Sequence, residues 1–258
     1  MKKSRIKEIL SSNDSSPEYL RTLLPHYHRI SILLNLISPL VKDIKNNNLP
    51  LQGLEIGVGK GNLVLSMAEE FPEFQWSGVE HPCISNKYLN DRAKINLKLC
   101  NLTKEPLPFI DSQFSLVTFS EVLEHLSVEA IQPILKQFHR VLMPKGYLIT
   151  STPNFLSFSN RMAMLLGTNV LHRPVIGTEG INQGVFGHIR MYTPNEFISL
   201  AKTLGFCVKK VKYYNLYKYV REGIFLKDLL YKLCILNDVM SLMNKRFADD
   251  WCVVLKKE

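Results

Sequence analysis

The stretch "LEIGVGKGN", Leu54 to Asn62, runs an apolar segment straight into three alternating glycines, Gly57, Gly59 and Gly61. A short strand that ends in a glycine turn and then opens a helix is the reading that decides the fold. Behind it Val64, Met67, Ala68 and Phe71 fall at i, i+3, i+4 and i+7, a helical spacing that Pro72 ends. Glycines at such a turn let the backbone bend sharply and let a ligand approach the chain closely. The order G-x-G-x-G is not the pyrophosphate fingerprint, whose third glycine stands one position later. Nor does a G-K-[ST] follow to make a phosphate loop.

The same rhythm continues on either side. "FQWSGVE", "NLKLCNL", "FSLVTFS" and "GYLITST" read as further strands, with a helix over about 128–141 before the last of them. Strands alternating with helices imply an α/β domain with a parallel sheet covered on both faces. Ligands of such sheets bind outside the carboxyl ends of the strands, so the glycine turn, Glu80 and "SEVLEHL" (Ser120 to Leu126) should share one crevice. Residues 1–48 read as a helical N-terminal extension and 49–258 as the main domain, with a loop-rich lid over about 154–190 and a helical insert over about 216–246. In "YTPNEFISLAKTLGF", Thr193 and Glu196 form a capping box, Pro194 takes the first helical position, and Gly205 closes the helix. "CVKKVKYY" and "DWCVVLKK" are the last strands.

The hydrophobic fraction, 46%, excludes a disordered or fibrous chain. A formal charge of +9, from 32 Lys and Arg against 23 Asp and Glu, admits nucleic acid, an anionic membrane surface or a phosphorylated substrate as partner. The basic residues are spread along the chain, so a solvated basic surface is the ordinary reading. Five widely spaced cysteines with no C-x-x-C argue against a disulfide scaffold or zinc knuckle and fit a reducing cytoplasm. "ISILLNLISPLV" is too short and too polar to span a bilayer, so a cytoplasmic protein without a transmembrane segment is expected.

Glu55 precedes the glycine turn, and Glu80 ends the second strand, where a carboxylate can accept hydrogen bonds from both hydroxyls of a ribose. With "CNLTKEPLPF" and "MPKGYLITSTPN", this order resembles class I S-adenosylmethionine-dependent methyltransferases over about residues 50–155. Nicotinamide oxidoreductases share strand, glycine turn, helix, strand and acid, but the glycine spacing and the "LPF" segment favour the methyl donor. The resemblance implies a Rossmann-like methyltransferase fold with a seven-stranded, mostly parallel sheet and S-adenosylmethionine as cofactor. It implies Glu55, Gly57, Val58, Gly59 and Gly61 at the methionine end and Glu80 on the ribose. His81, Asn101 and Leu102 would stand beside the adenine, with Ser120 and Glu121 also in the cofactor set. Asn101 stands where the family usually has Asp, and Ser115 departs from a second, more remote Asp.

"SEVLEHL" places Glu121, Glu124 and His125 just past the fourth strand, where a methyl acceptor should sit. Three readings are open. Glu124 and His125 can simply cap and pack the next helix. His125 can be the base that takes the acceptor proton, since histidine titrates near neutral pH. Or, were the segment helical, Glu121, Glu124 and His125 would share a face at i, i+3 and i+4 and could hold Mg2+ or Mn2+, with His188 as fourth ligand. Ubiquinone-pathway O-methyltransferases and small-RNA 2′-O-methyltransferases carry a similar E-x-x-E-H and a later histidine. The resemblance therefore implies His125 and His188 as catalytic groups. His172, flanked by Arg173, is by default a loop residue.

Beyond the core, "TPNFLSFSNRMAMLLG" and "GHIRMYTPNEF" resemble methyltransferases of polysaccharide and natural-product biosynthesis. There Asn154, Phe155, Phe158, Asn160, Arg161, Arg190 and Tyr192 would line the acceptor pocket or pack the lid. An O-methyltransferase acting on a small-molecule or glycan-like acceptor is the leading expectation. A metal-dependent RNA 2′-O-methyltransferase and a non-catalytic cofactor-binding subunit are the alternatives. The run from Lys209 to Arg221, with Lys210, Lys212, Tyr213, Tyr214, Tyr217, Lys218 and Tyr219, comes nearest to a nucleic-acid surface. It serves equally as core, as a homodimer interface or as a membrane-surface face.

Overall fold

The computed structural model describes residue 6 and residues 17–83, 95–167, 169–171, 188–216 and 228–258. His172, Arg173 and the part of the basic run from Tyr217 to Arg221 lie outside them. A long helix α1 (Pro17–Asn46) leads into β1 (Gln52–Ile56), α2 (Asn62–Glu70), β2 (Gln75–Glu80), β3 (Asn96–Leu99) and β4 (Phe114–Ser120). A 3-10 turn (Leu123–His125), α3 (Val128–Val141), β5 (Leu142–Pro153) and α4 (Phe158–Leu165) follow. Then come α5 (Pro194–Thr203), β6 (Phe206–Tyr214), α6 (Asp228–Met243) and β7 (Asp250–Lys257).

The seven strands form one sheet in the order β3-β2-β1-β4-β5-β7-β6. Pairing from β3 through β5 is parallel, and β7 runs antiparallel to both β5 and β6. The chain moves outward from β1 to β3 and returns to the other side of β1 at β4, so the direction of strand order switches between β1 and β4. That switch opens a crevice at their carboxyl ends.

Alternation along the strands divides the core in two. Leu116, Ile149, Cys252 and Val254 point to one face, and Val117, Leu148, Val253 and Leu255 to the other. α1 supplies Ile30, Leu33, Ile37, Val41 and Ile44 to the first face, where they join Val64 and Met67 of α2. α3 and α5 cover the second face with Leu135, Phe138 and Phe197. Tyr147 and Lys256 both bond the Asp43 carboxylate, Lys256 at 2.9 Å, and pin α1 to the sheet.

β3 and β6 are the edge strands, and the exposed Lys209 and Lys210 of β6 do what charges on an edge do, discouraging pairing with another chain. The capping box at α5 is present as expected: Thr193 Oγ1 accepts from the Glu196 N–H, and the Glu196 carboxylate accepts from the Thr193 N–H. Among the described residues no helix is long and apolar enough to cross a membrane.

Candidate active site

Gly57, Gly59 and Gly61 all occupy left-handed backbone, at φ 76°, 54° and 81°. This is why three glycines alternate here, since a side chain at each would strain the turn. The Gly57 and Val58 N–H groups donate to the Val79 carbonyl, binding the turn to the end of β2. A Cβ on Gly57 would fall 2.3 Å from Cγ2 of Val122, whereas one on Gly59 would meet nothing within 4 Å. The two positions therefore predict different outcomes. Gly57→Ala is expected to cost about 2 kcal/mol or more in urea unfolding, from strain plus overpacking. Gly59→Ala should cost about 1 kcal/mol and act mainly on S-adenosylhomocysteine affinity, read by titration calorimetry, because its methyl would enter the open space.

The buried Glu80 ends β2. Its carboxylate accepts from the Gly59 N–H and, at 2.7 Å, from the His81 N–H. Glu55 is also buried, and burial pushes its carboxyl well above the usual range while a bond from the Val64 N–H partly offsets that. Its Oε2 has no partner among the described residues. Asn101 turns its Oδ1 toward the Thr103 N–H and hydroxyl, leaving its amide N–H groups to a ligand. Leu102, half-buried, packs against the core on that side of the sheet. Open space over Gly59, a carboxylate at the end of β2 and an unsatisfied oxygen on Glu55 fit a nucleoside cofactor with a charged tail.

"SEVLEHL" is not helical, so the helical face expected for Glu121, Glu124 and His125 does not form. Glu121 stands in left-handed backbone at φ 57°, which costs a non-glycine residue about 1 kcal/mol, and only Leu123–His125 make a 3-10 turn. Glu121 is held from three sides. Its N–H donates to the Ser151 carbonyl, and Oε1 accepts from the Ser151 hydroxyl, which also bonds Ser120. Oε2 meets the Arg29 guanidinium at 3.0 Å.

Glu124 is carried to the other side of the turn. It is buried, accepts from Thr152 Oγ1 at 2.8 Å, and lies 3.9 Å from His125 Nε2. His188 arrives because the Ile189 and Arg190 N–H groups both donate to the Glu124 carbonyl. The His125 and His188 rings meet edge to face at 5.3 Å between centroids. One ligand atom each from Glu124, His125 and His188 falls within 4.8 Å of the others. Glu121 lies outside this trio.

Burial first, and the charge of Glu121 second, push the Glu124 carboxyl up to about 8. Folded chains thus hold a proton there that unfolded chains release above the ordinary carboxylate value of 4.5. The sign follows: stability is lost as pH rises from about 5 toward 8. Thermal unfolding in a chelator should show that slope, and Glu124→Gln should flatten it.

Sequence reasoning missed the charges beneath this turn. Arg29 projects from α1 into a cluster with Glu121, Tyr214, Asp250 and Glu124 around it. Burial and the Glu121 charge raise the Asp250 carboxyl well above its usual range, against the pull of Arg29. Burial, with Arg29 and Lys60 beside it, brings His26 down to about 4, so it is neutral at pH 7. The available signal was a lone arginine in the apolar stripe "HRISILLNL", four residues before the buried Leu33.

A cavity of about 620 Å³ adjoins the segment that carries His188, with Phe155, Leu156, Met164, Ile189 and Met191 on its walls and Arg190 at its rim. Of the expected pocket residues, Phe155 and Arg190 line it. Asn154 and Asn160 spend their amides on backbone carbonyls, and Phe158 and Arg161 face Phe247. Tyr192 is buried under Arg190.

Residues 54–146 match a family model described as a methyltransferase domain. A methyltransferase structure from Archaeoglobus fulgidus superposes with a TM-score of 0.56 at 15% identity, covering 88% of this chain and 94% of that one. Another from Methanosarcina mazei gives 0.54 at 18% identity over 83% and 96%. At such identities the likeness concerns the fold. A curated relative, "Probable polyketide synthase 9/36" of Dictyostelium discoideum, is 27% identical over 156 residues, 50% of this chain and only 5% of the relative's length. The family match and the fold, with its glycine turn at the switch point, together support a class I S-adenosylmethionine-dependent methyltransferase domain. The match places a methyltransferase domain at residues 54–146, a little over a third of the chain.

Proposed function

We propose that this chain transfers the methyl group of S-adenosylmethionine to a hydroxyl on a small-molecule or glycan-like biosynthetic intermediate. The reading rests on the trio of Glu124, His125 and His188, drawn together within 4.8 Å at the carboxyl end of the strand beside the glycine turn. Methyl transfer from a sulfonium is an in-line displacement that needs alignment, a dry site and an acceptor relieved of its proton.

In this reading Gly57, Val58, Gly59 and Gly61 receive the methionine end, with Ser120 and Glu121 close by, and the unsatisfied oxygen of Glu55 suits an ammonium group. Glu80 exchanges its bonds to the turn for the ribose hydroxyls. His81 and Leu102 flank the adenine, and Asn101 donates to a ring nitrogen rather than accepting from the amino group. His125 takes the acceptor proton, with the Glu124 carboxyl 3.9 Å from its Nε2.

Two imidazoles and a buried carboxylate also fit a divalent cation, Mn2+ better than Mg2+ because imidazole is a softer donor. Bound there, the ion supplies Lewis acidity toward the hydroxyl oxygen. A ligand role for Glu121 requires it to leave Arg29.

The test incubates the full chain with methyl-labelled S-adenosylmethionine and hydroxyl acceptors, in chelator and in Mn2+. An O-methylated product is expected. Binding of NAD without S-adenosylhomocysteine overturns the reading. Labelling of total RNA that Glu124→Ala abolishes moves it to an RNA 2′-O-methyltransferase. Tight S-adenosylhomocysteine binding without turnover on any acceptor moves it to a cofactor-binding subunit.

A further inference from the structure

α4 and α6 pack together on the side of the molecule that carries the cavity. Phe158 of α4 meets Phe247, just past α6, at 6.2 Å between ring centroids, and the Arg161 guanidinium lies 5.1 Å from the same ring. The ends of these helices leave four large apolar side chains in solvent: Leu165 at 79% exposure, Leu166 at 76%, Leu242 at 85% and Met243 at 76%. Scattered apolar residues on a surface are normal, but two strongly exposed apolar pairs, each ending one of two packed helices, are an unusual concentration that a docking partner would cover.

Among the described residues of these two segments, the exposed charges have one sign. Across residues 154–167 and 236–247, Arg161, Lys245 and Arg246 are exposed. The single acid in those segments, Asp238, is half-buried and accepts from Asn215. Leucine and methionine flanked by exposed cations are what an anionic lipid surface takes up: the apolar groups enter the headgroup boundary and the cations meet phosphates. Met164, which precedes Leu165 and Leu166, lines the cavity. The face and the cavity therefore adjoin.

We propose that this face docks on an anionic bilayer, and that the acceptor is an amphiphile whose apolar part enters the cavity from the lipid while its hydroxyl reaches His125. The second half rests on the acceptor reading given above; the first does not.

Flotation of the full chain with phosphatidylcholine vesicles, with and without phosphatidylglycerol, tests the docking without any methyl transfer. Binding is expected only to the anionic vesicles, weakening as salt rises. The double variant Lys245→Glu, Arg246→Glu should bind at least about 25-fold more weakly, from about fivefold per cation lost. Leu242→Asp should weaken binding about tenfold or more through lost burial. Both sites are exposed, and unchanged thermal unfolding of each variant shows the fold intact.

A well-folded wild type that ignores anionic vesicles overturns the proposal. So does a dimer in sedimentation that Leu242→Asp dissociates, which would give the face to a second copy. His125→Ala should float like the wild type, so loss of methyl transfer and loss of docking are separate results. If docking holds, methyl transfer to a long-chain hydroxyl compound presented in anionic vesicles should exceed that to its short-chain analogue; equal rates overturn the amphiphile assignment.

Discussion

His125→Ala is expected to lower kcat for methyl transfer by about 10²- to 10⁴-fold, the range that a positioned general base supplies. S-adenosylhomocysteine affinity should stay within about twofold, because the change removes an interaction made with the reacting acceptor rather than with the bound cofactor. The fold should tolerate it. The turn that carries His125 is anchored by Leu123 and Leu126, both buried, and by the N–H groups of Ile189 and Arg190 on the Glu124 carbonyl. The imidazole itself is partly exposed, at 33% of its side chain. Rapid-quench turnover and calorimetry on the same preparation check both halves. Rescue separates base from packing: added imidazole should restore part of kcat to the variant, whereas the loss of a packing residue would not be recovered by a free base. A fall of less than about threefold removes His125 from the chemistry.

Arg29→Leu is expected to cost about 3 kcal/mol in urea unfolding. Breaking a buried ion pair from one side leaves the other charge without compensation, at about 3–5 kcal/mol. The low end applies because 18% of the Arg29 side chain and 21% of that of Glu121 remain exposed. Glu121 is the nearest acid, and Asp250 and Glu124 also feel the guanidinium. Without it, carboxyl groups already pushed upward by burial would rise further, so the loss should grow with pH. A double-mutant cycle with Glu121→Gln tests the assignment: the pair of substitutions should cost clearly less than the sum of the two. Additive losses would mean that Arg29 stabilises by packing its stem alone.

The strands and the glycine turn were legible for a physical reason. β4 and β7 are buried on both faces, so their sequences read as mainly apolar runs without strict alternation, and left-handed backbone leaves glycine as the residue without strain. The shape of "SEVLEHL" was not legible. Its carboxylates sit at a helical spacing, yet Glu121 bends into left-handed backbone because Ser151 and Arg29 hold it there. His188 could be nominated from sequence, but what seats it is two backbone bonds from the next residues to Glu124, which no side-chain pattern reveals. Arg29 and Asp250 were missed for a related reason. One charge in an apolar stretch looks like a surface interruption until the fold shows what it faces.

The position of β7 has a consequence for how the molecule is made. The seventh strand in chain order is an interior strand, flanked by β5 and β6, and its first residue, Asp250, belongs to the charge cluster under the "SEVLEHL" turn. β6 has no neighbour to pair with until β7 arrives, and the Asp43–Lys256 pair spans 213 positions. On the ribosome, β1 to β5 can assemble around an open flank, but Arg29 waits for Asp250 until more than 220 further residues have emerged. The site is therefore finished by the last strand, and a nascent chain that stalls before residue 250 presents an apolar sheet edge where the finished protein has none.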